Sequence, residues 1–177
     1  MIRTLVRSIP LAAAAAALTL APPRAGAQAP APAGPGITLA AGVMNFDLSG
    51  TGNTAVGALR ADLPLSRVFG VEAAVAVAKP DQQSGSSTIV FPEVQLQASA
   101  PLGTVAPYLG LGVGIYRLSA SGGDNSDVTF SAGAGARIGL TDRLGAVLDG
   151  RIHEIGTDFA ATTAELTIGL RWRLGSR

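Results

Sequence analysis

The chain has 177 residues with 13 Lys and Arg against 12 Asp and Glu, a formal net charge of +1, and charged residues make up only 14% of it, against roughly 25% in an ordinary soluble domain. There is no cysteine, which excludes a lipidated N-terminal cysteine, a disulfide framework and a thiolate metal site. Removing Arg3, Arg7 and Arg24 leaves 10 basic against 12 acidic residues, a net −2, so no basic surface remains for nucleic acid.

Residues 1–27 read as a secretory signal peptide: Arg3 and Arg7, an apolar run from Leu11 to Ala21, and a small-x-small cleavage site at Ala25-Gly26-Ala27. The apolar run is fenced by Pro10 and Pro22 and falls short of the roughly 20 residues a spanning helix needs. Residues 28–36, QAPAPAGPG, follow as a Pro/Ala/Gly-rich periplasmic leader without apolar period.

From Ile37 to Leu174 apolar and polar residues alternate. Eight strands of about 11 residues fill about 88 of these positions and leave roughly 7 per connection. The first strand runs about Ile37 to Asp47 with Ile37, Leu39, Ala41 and Val43 on one face, and the second about Thr54 to Leu63 with Arg60 and Asp62 opposite its apolar face. Phe69 to Val77 form the third, with Glu72 on the polar face, and Pro80 to Ser87 a polar loop. The fourth, near Thr88 to Ala100, sets Glu93, Gln95 and Gln97 against Val94, Leu96 and Ala98. Pro92 offers no N–H, so a bulge or a lost pairing is expected towards the outer end of that strand.

Tyr108 to Leu118 is the stretch around which the chain is organised, because Leu109, Leu111, Val113 and Ile115 alternate with Gly110, Gly112 and Gly114. One face is greasy and the other empty, so side chains from opposite strands of a narrow barrel can fill it. A loop is expected at Ser119 to Ser126. The sixth strand, Val128 to Ile138, carries Gly133, Gly135 and Arg137 on its polar face; the seventh carries Asp149, Arg151 and His153; the eighth, after a loop at Gly156 to Ala161, carries Glu165, Thr167, Arg171 and Arg173. Short turns at 64–67, 101–104 and 141–143 alternate with longer connections, the asymmetry of periplasmic turns and external loops.

The pattern predicts an all-β fold: a transmembrane, eight-stranded, antiparallel up-and-down β-barrel. Alternation alone would also fit a barrel with an apolar interior. Strand length favours the membrane, since 11 tilted residues rise about 25 Å. Phe46, Phe69, Phe91, Tyr108, Tyr116, Phe130, Phe159 and Trp172 lie near predicted strand ends, where interfacial girdles are expected. The polar face balances Arg60, Arg137, Arg151, Arg171 and Arg173 against Asp62, Glu72, Glu93, Asp149 and Glu165. A confined lumen requires such pairing because a lone buried charge costs several kcal/mol.

On these residues the mature chain resembles the small eight-stranded outer-membrane barrels typified by outer membrane proteins A and X. Thr167-Ile168-Gly169-Leu170-Arg171-Trp172-Arg173-Leu174 resembles the C-terminal signal read by the barrel-assembly machinery, with Thr167, Gly169, Trp172 and Leu174 at the matching positions. The resemblance implies residence in the cell outer membrane, contact with its lipid, and that machinery as a biogenesis partner.

No enzyme is expected. Lipid A deacylases of similar architecture use a His-x-Ser pair, whereas Ile155 stands two residues after His153, the only histidine. His153 therefore reads as a lumen side chain. One histidine without cysteine makes no zinc site, no acidic calcium loop is present, and the glycine runs precede no helix that would make them phosphate loops. No cofactor or metal is expected. Two functional classes remain: a monomeric structural or surface-interaction barrel whose lumen is plugged by paired Arg and Asp/Glu side chains, or a narrow pore for small solutes or ions.

Overall fold

The computed structural model describes residues 34–46, 52–82, 85–120, 123–157 and 161–175. The expected signal peptide, most of the expected leader and Phe159 lie outside the described residues. Eight strands form the wall: β1 (Gly36–Phe46), β2 (Asn53–Pro64), β3 (Phe69–Ala78), β4 (Gly85–Ser99), β5 (Val105–Ala120), β6 (Gly123–Gly139), β7 (Leu144–Ile155) and β8 (Ala161–Arg173). Each is antiparallel to its sequence neighbours, and β1 pairs with β8 to close the sheet. Closure leaves no sheet edge inside a bilayer, where an unpaired peptide group costs several kcal/mol.

The register fixes the shape. Following paired residues from Gly36 through Asp62, Glu72, Gln95, Gly112, Ser131, His153 and Thr163 returns to β1 at Phe46, ten residues further along. A ten-residue shear over eight strands tilts them by about 40° and sets a bore that side chains alone can fill.

Burial runs opposite to that of a soluble protein. Leu111 is 71% exposed and Ile168 67%, while Arg171 is 1% exposed and Arg151 3%. The apolar face is the outer face. That inversion separates a transmembrane barrel from one with an apolar interior, which has the same period.

The glycine-alternating face of β5 and β6 is filled as its emptiness suggests. A Cβ on Gly135 would meet the Tyr108 hydroxyl at 2.5 Å, and one on Gly112 would meet Gln95 Cγ at 2.6 Å. These positions lack side chains because the lumen beside them is occupied.

Three sequence expectations are corrected. Tyr108, Tyr116, Phe46 and Phe91 do not join an aromatic girdle; they point inward and are buried, and only Phe69, Phe130 and Trp172 are exposed among the described aromatics. Parity decides this, since Phe91 shares its face with Glu93 and Gln95, and both tyrosines share theirs with the lumen glycines. Ser119 to Ser126 is not a loop. Its described residues continue β5 and β6 as a ribbon, Tyr116↔Asp127 to Ala120↔Gly123, joined by two residues. Above the apolar belt both faces meet water, so the alternation that marks a strand disappears while the pairing persists. At Pro92 the β4–β5 ladder skips Phe91 and Pro92 between Val90↔Arg117 and Glu93↔Gly114 without changing register. The missing N–H costs a pairing, the second of the two expected outcomes, but in mid-strand and not at the outer end.

Candidate functional site

The lumen is the site, and it has two storeys. The half nearer the chain termini and the short turns, here the turn end, is charged; the half nearer the longer connections, the loop end, is apolar.

Arg151 on β7 lies at the centre of the charged half. Its Nε donates to Asp149 Oδ1 on the same strand at 2.7 Å, Nη1 to Glu93 on β4, and Nη2 to Glu72 on β3. Strands β3 and β7 are four apart in a ring of eight, so this one side chain crosses the bore. A guanidinium suits the position because its donors lie in a fixed plane and can serve several carboxylates at once. Arg60 on β2 adds a second crossing: Nη1 sits 2.7 Å from Asp149 Oδ1, and Nη2 donates to Glu165 Oε1 at 2.7 Å and Thr167 Oγ1 at 2.8 Å. Tyr108 donates its hydroxyl proton to Asp149 Oδ2. Asp149 thus joins two arginines and a phenol.

His153 stands above this layer, 1% exposed, with Nε2 at 3.4 Å from Glu165 Oε2 and Nδ1 at 3.7 Å from Glu93 Oε2. Its ring lies 5.1 Å from that of Phe91, where the apolar storey begins. The register puts Ser131 directly opposite His153, a proximity invisible in the local sequence. Ser131 Oγ instead accepts from Gln95 Nε2 at 3.2 Å, and no hydrogen bond joins it to the imidazole among the described residues. A serine nucleophile with its base is therefore not assembled.

Below the centre, Arg137 donates to the neutral Gln97, lies 4.3 Å over the Tyr108 ring and comes no nearer than 3.9 Å to Glu72. Arg171 forks onto Asp62 at 2.8 and 2.6 Å and also donates to the Gly34 carbonyl. These two arginines, with Gln97 and Asp62, line a vestibule of about 370 Å³ that opens at the turn end. Arg173 is half-buried at the rim beside Gly34 and forms no ion pair among the described residues.

The apolar storey was missed by the sequence reading. Met44, Phe46, Val56, Ile89, Phe91, Tyr116 and Ile155 form one buried cluster inside the barrel, with Phe91 and Tyr116 edge to face at 5.3 Å. Met44 is 0% exposed. The signal was present in the parity of these residues, but no charge accompanied them.

Of the C-terminal segment, Thr167 is buried in the lumen and Gly169 pairs with Ala40 and Val147, while Trp172 and Leu174 are exposed on the outside. Among the described residues no group of His, Asp and Glu is arranged to hold a metal.

Several solved barrels share this architecture. Neisserial surface protein A matches with a TM-score of 0.68 at 16% identity, covering 80% of this chain and 98% of its own. Ail, the attachment invasion locus protein of Yersinia pestis, matches at 0.57 and 15% identity over 80% and 99% of the two chains. OprG of Pseudomonas aeruginosa matches at 0.51 and 15% identity over 82% and 99%. No curated protein sequence matches the chain. The sequence matches the family described as outer membrane protein beta-barrel domain over residues 11–173, and the chain therefore belongs to that family and resides in the cell outer membrane.

Proposed function

We propose that this protein is a plugged, monomeric barrel with a structural or surface-interaction role. The observation that carries this reading is Arg151, which spans the bore from β7 to Glu72 on β3. A solute would have to displace a guanidinium shared by three carboxylates and then pass Met44, Phe91 and Tyr116, a dry layer that does not solvate an ion. Surface interaction would fall to the ribbon of β5 and β6, whose residues 123–127 are all exposed above the belt.

In this reading the signal peptide is cleaved after Ala27, the turn end faces the periplasm, and Thr167, Gly169, Trp172 and Leu174 are read by the barrel-assembly machinery. The lumen residues Arg60, Asp62, Glu72, Glu93, Arg137, Asp149, Arg151, His153, Glu165, Arg171 and Arg173 serve the wall and not a reaction. A family of membrane barrels supports a non-enzymatic role.

The test is planar-bilayer conductance of refolded residues 28–177, after a heat-modifiable gel shift has established a folded barrel. Silence is expected. Steady, ion-selective steps would replace this reading with that of a narrow pore.

A further inference from the structure

The lumen is filled above Arg137 and open below it. At the turn end Gly70 shares the inward parity of Glu72, Ser99 that of Gln97 and Ala106 that of Tyr108. These side chains are too small to meet across the bore, and the vestibule of about 370 Å³ is the space they leave. One layer higher, similar vacancies are filled from neighbouring strands, by Tyr108 against Gly135 and Gln95 against Gly112. The lower space instead stays open to the rim.

Arg137 is its ceiling. The register partner of Arg137 on β5 is Ala106, so only a methyl group stands beside the guanidinium on that strand. The hydrogen bond to Gln97 and the face of Tyr108 hold the group in place. Among the described residues its Nε and Nη1 meet no acceptor, and neither atom is sealed from solvent. Arg67 and Arg171 line the same space, and Asp62, the one acid in the lining, is held by the fork of Arg171. Three arginines against one aspartate give the vestibule two positive charges in excess. Glu72 lies beyond the ceiling, 3.9 Å from Arg137 Nη2, and already accepts from Arg151. Its proximity favours a guest with a single negative charge over a dianion. Pro64, Val68, Pro101 and Ala106 make the remaining wall apolar.

We infer that the vestibule binds a small monocarboxylate with an apolar body, whose carboxylate accepts from the open donors of Arg137 while Arg67 draws it to the mouth. A guanidinium already oriented by an amide and a ring loses little freedom when a carboxylate joins it, and charge-assisted hydrogen bonds are about twice as strong as neutral ones. A cavity of this size lies at the small end of ligand pockets and takes one residue-sized body. That body is a free organic acid or the last residue of a peptide whose chain leaves through the mouth. The inference adds a binding role to the plugged barrel; the orientation proposed above sets only that the site faces the periplasm.

The test is calorimetric titration of refolded residues 28–177 in non-ionic micelles with N-acetyl-leucine, and with N-acetyl-leucinamide as the uncharged counterpart of the same body. The acid should bind about tenfold more tightly than the amide. Arg137→Gln should remove that preference, Arg67→Gln should reduce it in part, and Arg143→Gln, on a turn outside the lining, should leave it unchanged. Ala106→Leu fills the space with every arginine kept and should abolish binding. Each variant is first checked for the heat-modifiable shift, and the acid–amide comparison on the parent, with Arg67→Gln, decides if Arg137→Gln does not fold. An N-acetylated tetrapeptide ending in leucine separates the two sources: affinity equal to that of N-acetyl-leucine assigns the site to a peptide C-terminus, and weaker binding assigns it to a free acid. No binding of the acid, equal binding of acid and amide, a preference that survives Arg137→Gln, or an equal loss in Arg143→Gln overturns the proposal. Conductance of the same samples reports separately on the plugged lumen.

Discussion

The two storeys of the lumen solve the same problem with opposite chemistry. Both must fill a narrow bore, one with Arg60, Arg151, Glu72, Glu93, Asp149 and Glu165, the other with Met44, Phe46, Val56, Ile89, Phe91 and Tyr116. The apolar storey fills space, and its contacts are many and individually small. The charged storey joins particular strands, since a guanidinium that meets Glu72, Glu93 and Asp149 fixes β7 against β3 and β4 in one register. Filling alone tolerates exchange of side chains; a shared guanidinium does not, because Glu72 and Glu93 would be left buried without it. The division of labour places specification of the barrel at the turn end and its seal at the loop end.

That contrast is sharpest at Arg151. Replacing it with Ala takes the guanidinium from buried Glu72 and Glu93, while Asp149 keeps Arg60 and Tyr108, and a loss of about 3–5 kcal/mol is expected in urea unfolding followed by the gel shift. A midpoint unchanged from the parent would mean that the carboxylates are compensated in some other way, and the paired-lumen account would fall. In the apolar storey Met44→Ala should cost about 2–3 kcal/mol through the cavity it leaves. The two changes lie in separate storeys and share no partner, so their effects should add to within about 0.5 kcal/mol. A clear departure from additivity in the double variant would show that the storeys act as one unit. Neither single variant should conduct. Arg151→Ala combined with Phe91→Ala and Tyr116→Ala opens both storeys and should give cation-selective steps, because Glu72, Glu93, Asp149 and Glu165 remain; continued silence would sink the idea that these layers are the seal.

Much of this was legible beforehand because a barrel wall writes itself in a period of two. Strand number, the inward set of arginines and carboxylates, and the vacancy facing Gly110, Gly112 and Gly114 all follow from parity. What parity does not carry is partner choice. That Arg151 meets Glu72 across the bore depends on the ten-residue shear, which sums registers from every hairpin. The aromatic girdle was misread because position along a strand was weighed above parity: Phe91, Tyr108 and Tyr116 stand near the ends of the expected strands, but on the inward face. The tall β5–β6 ribbon escaped because SASGGDNS above the membrane has no apolar face to alternate with its polar one. Ser131 opposite His153 is likewise a product of register alone.

The smallest effect is expected at Arg137, and it tests whether charge or pairing gives the lower storey its strength. Arg137 is a lumen arginine like Arg151, yet its hydrogen bond goes to the neutral Gln97 and Glu72 lies 3.9 Å away, while Arg151 donates to that same carboxylate. What holds Arg137 is an amide oxygen and the face of Tyr108 at 4.3 Å. A cation over an aromatic face contributes about 0.5–2 kcal/mol according to how dry it is, and an ordinary hydrogen bond about 1 kcal/mol. Gln at position 137 can still fill part of the space and offer a donor to Gln97, so Arg137→Gln should cost about 1 kcal/mol, several-fold less than Arg151→Ala. If cationic charge anywhere in the lumen were what mattered, the two substitutions would weaken the barrel alike, and similar urea midpoints would establish it. A small loss at Arg137 beside a large one at Arg151 would mean that stability follows the number of carboxylates a guanidinium serves.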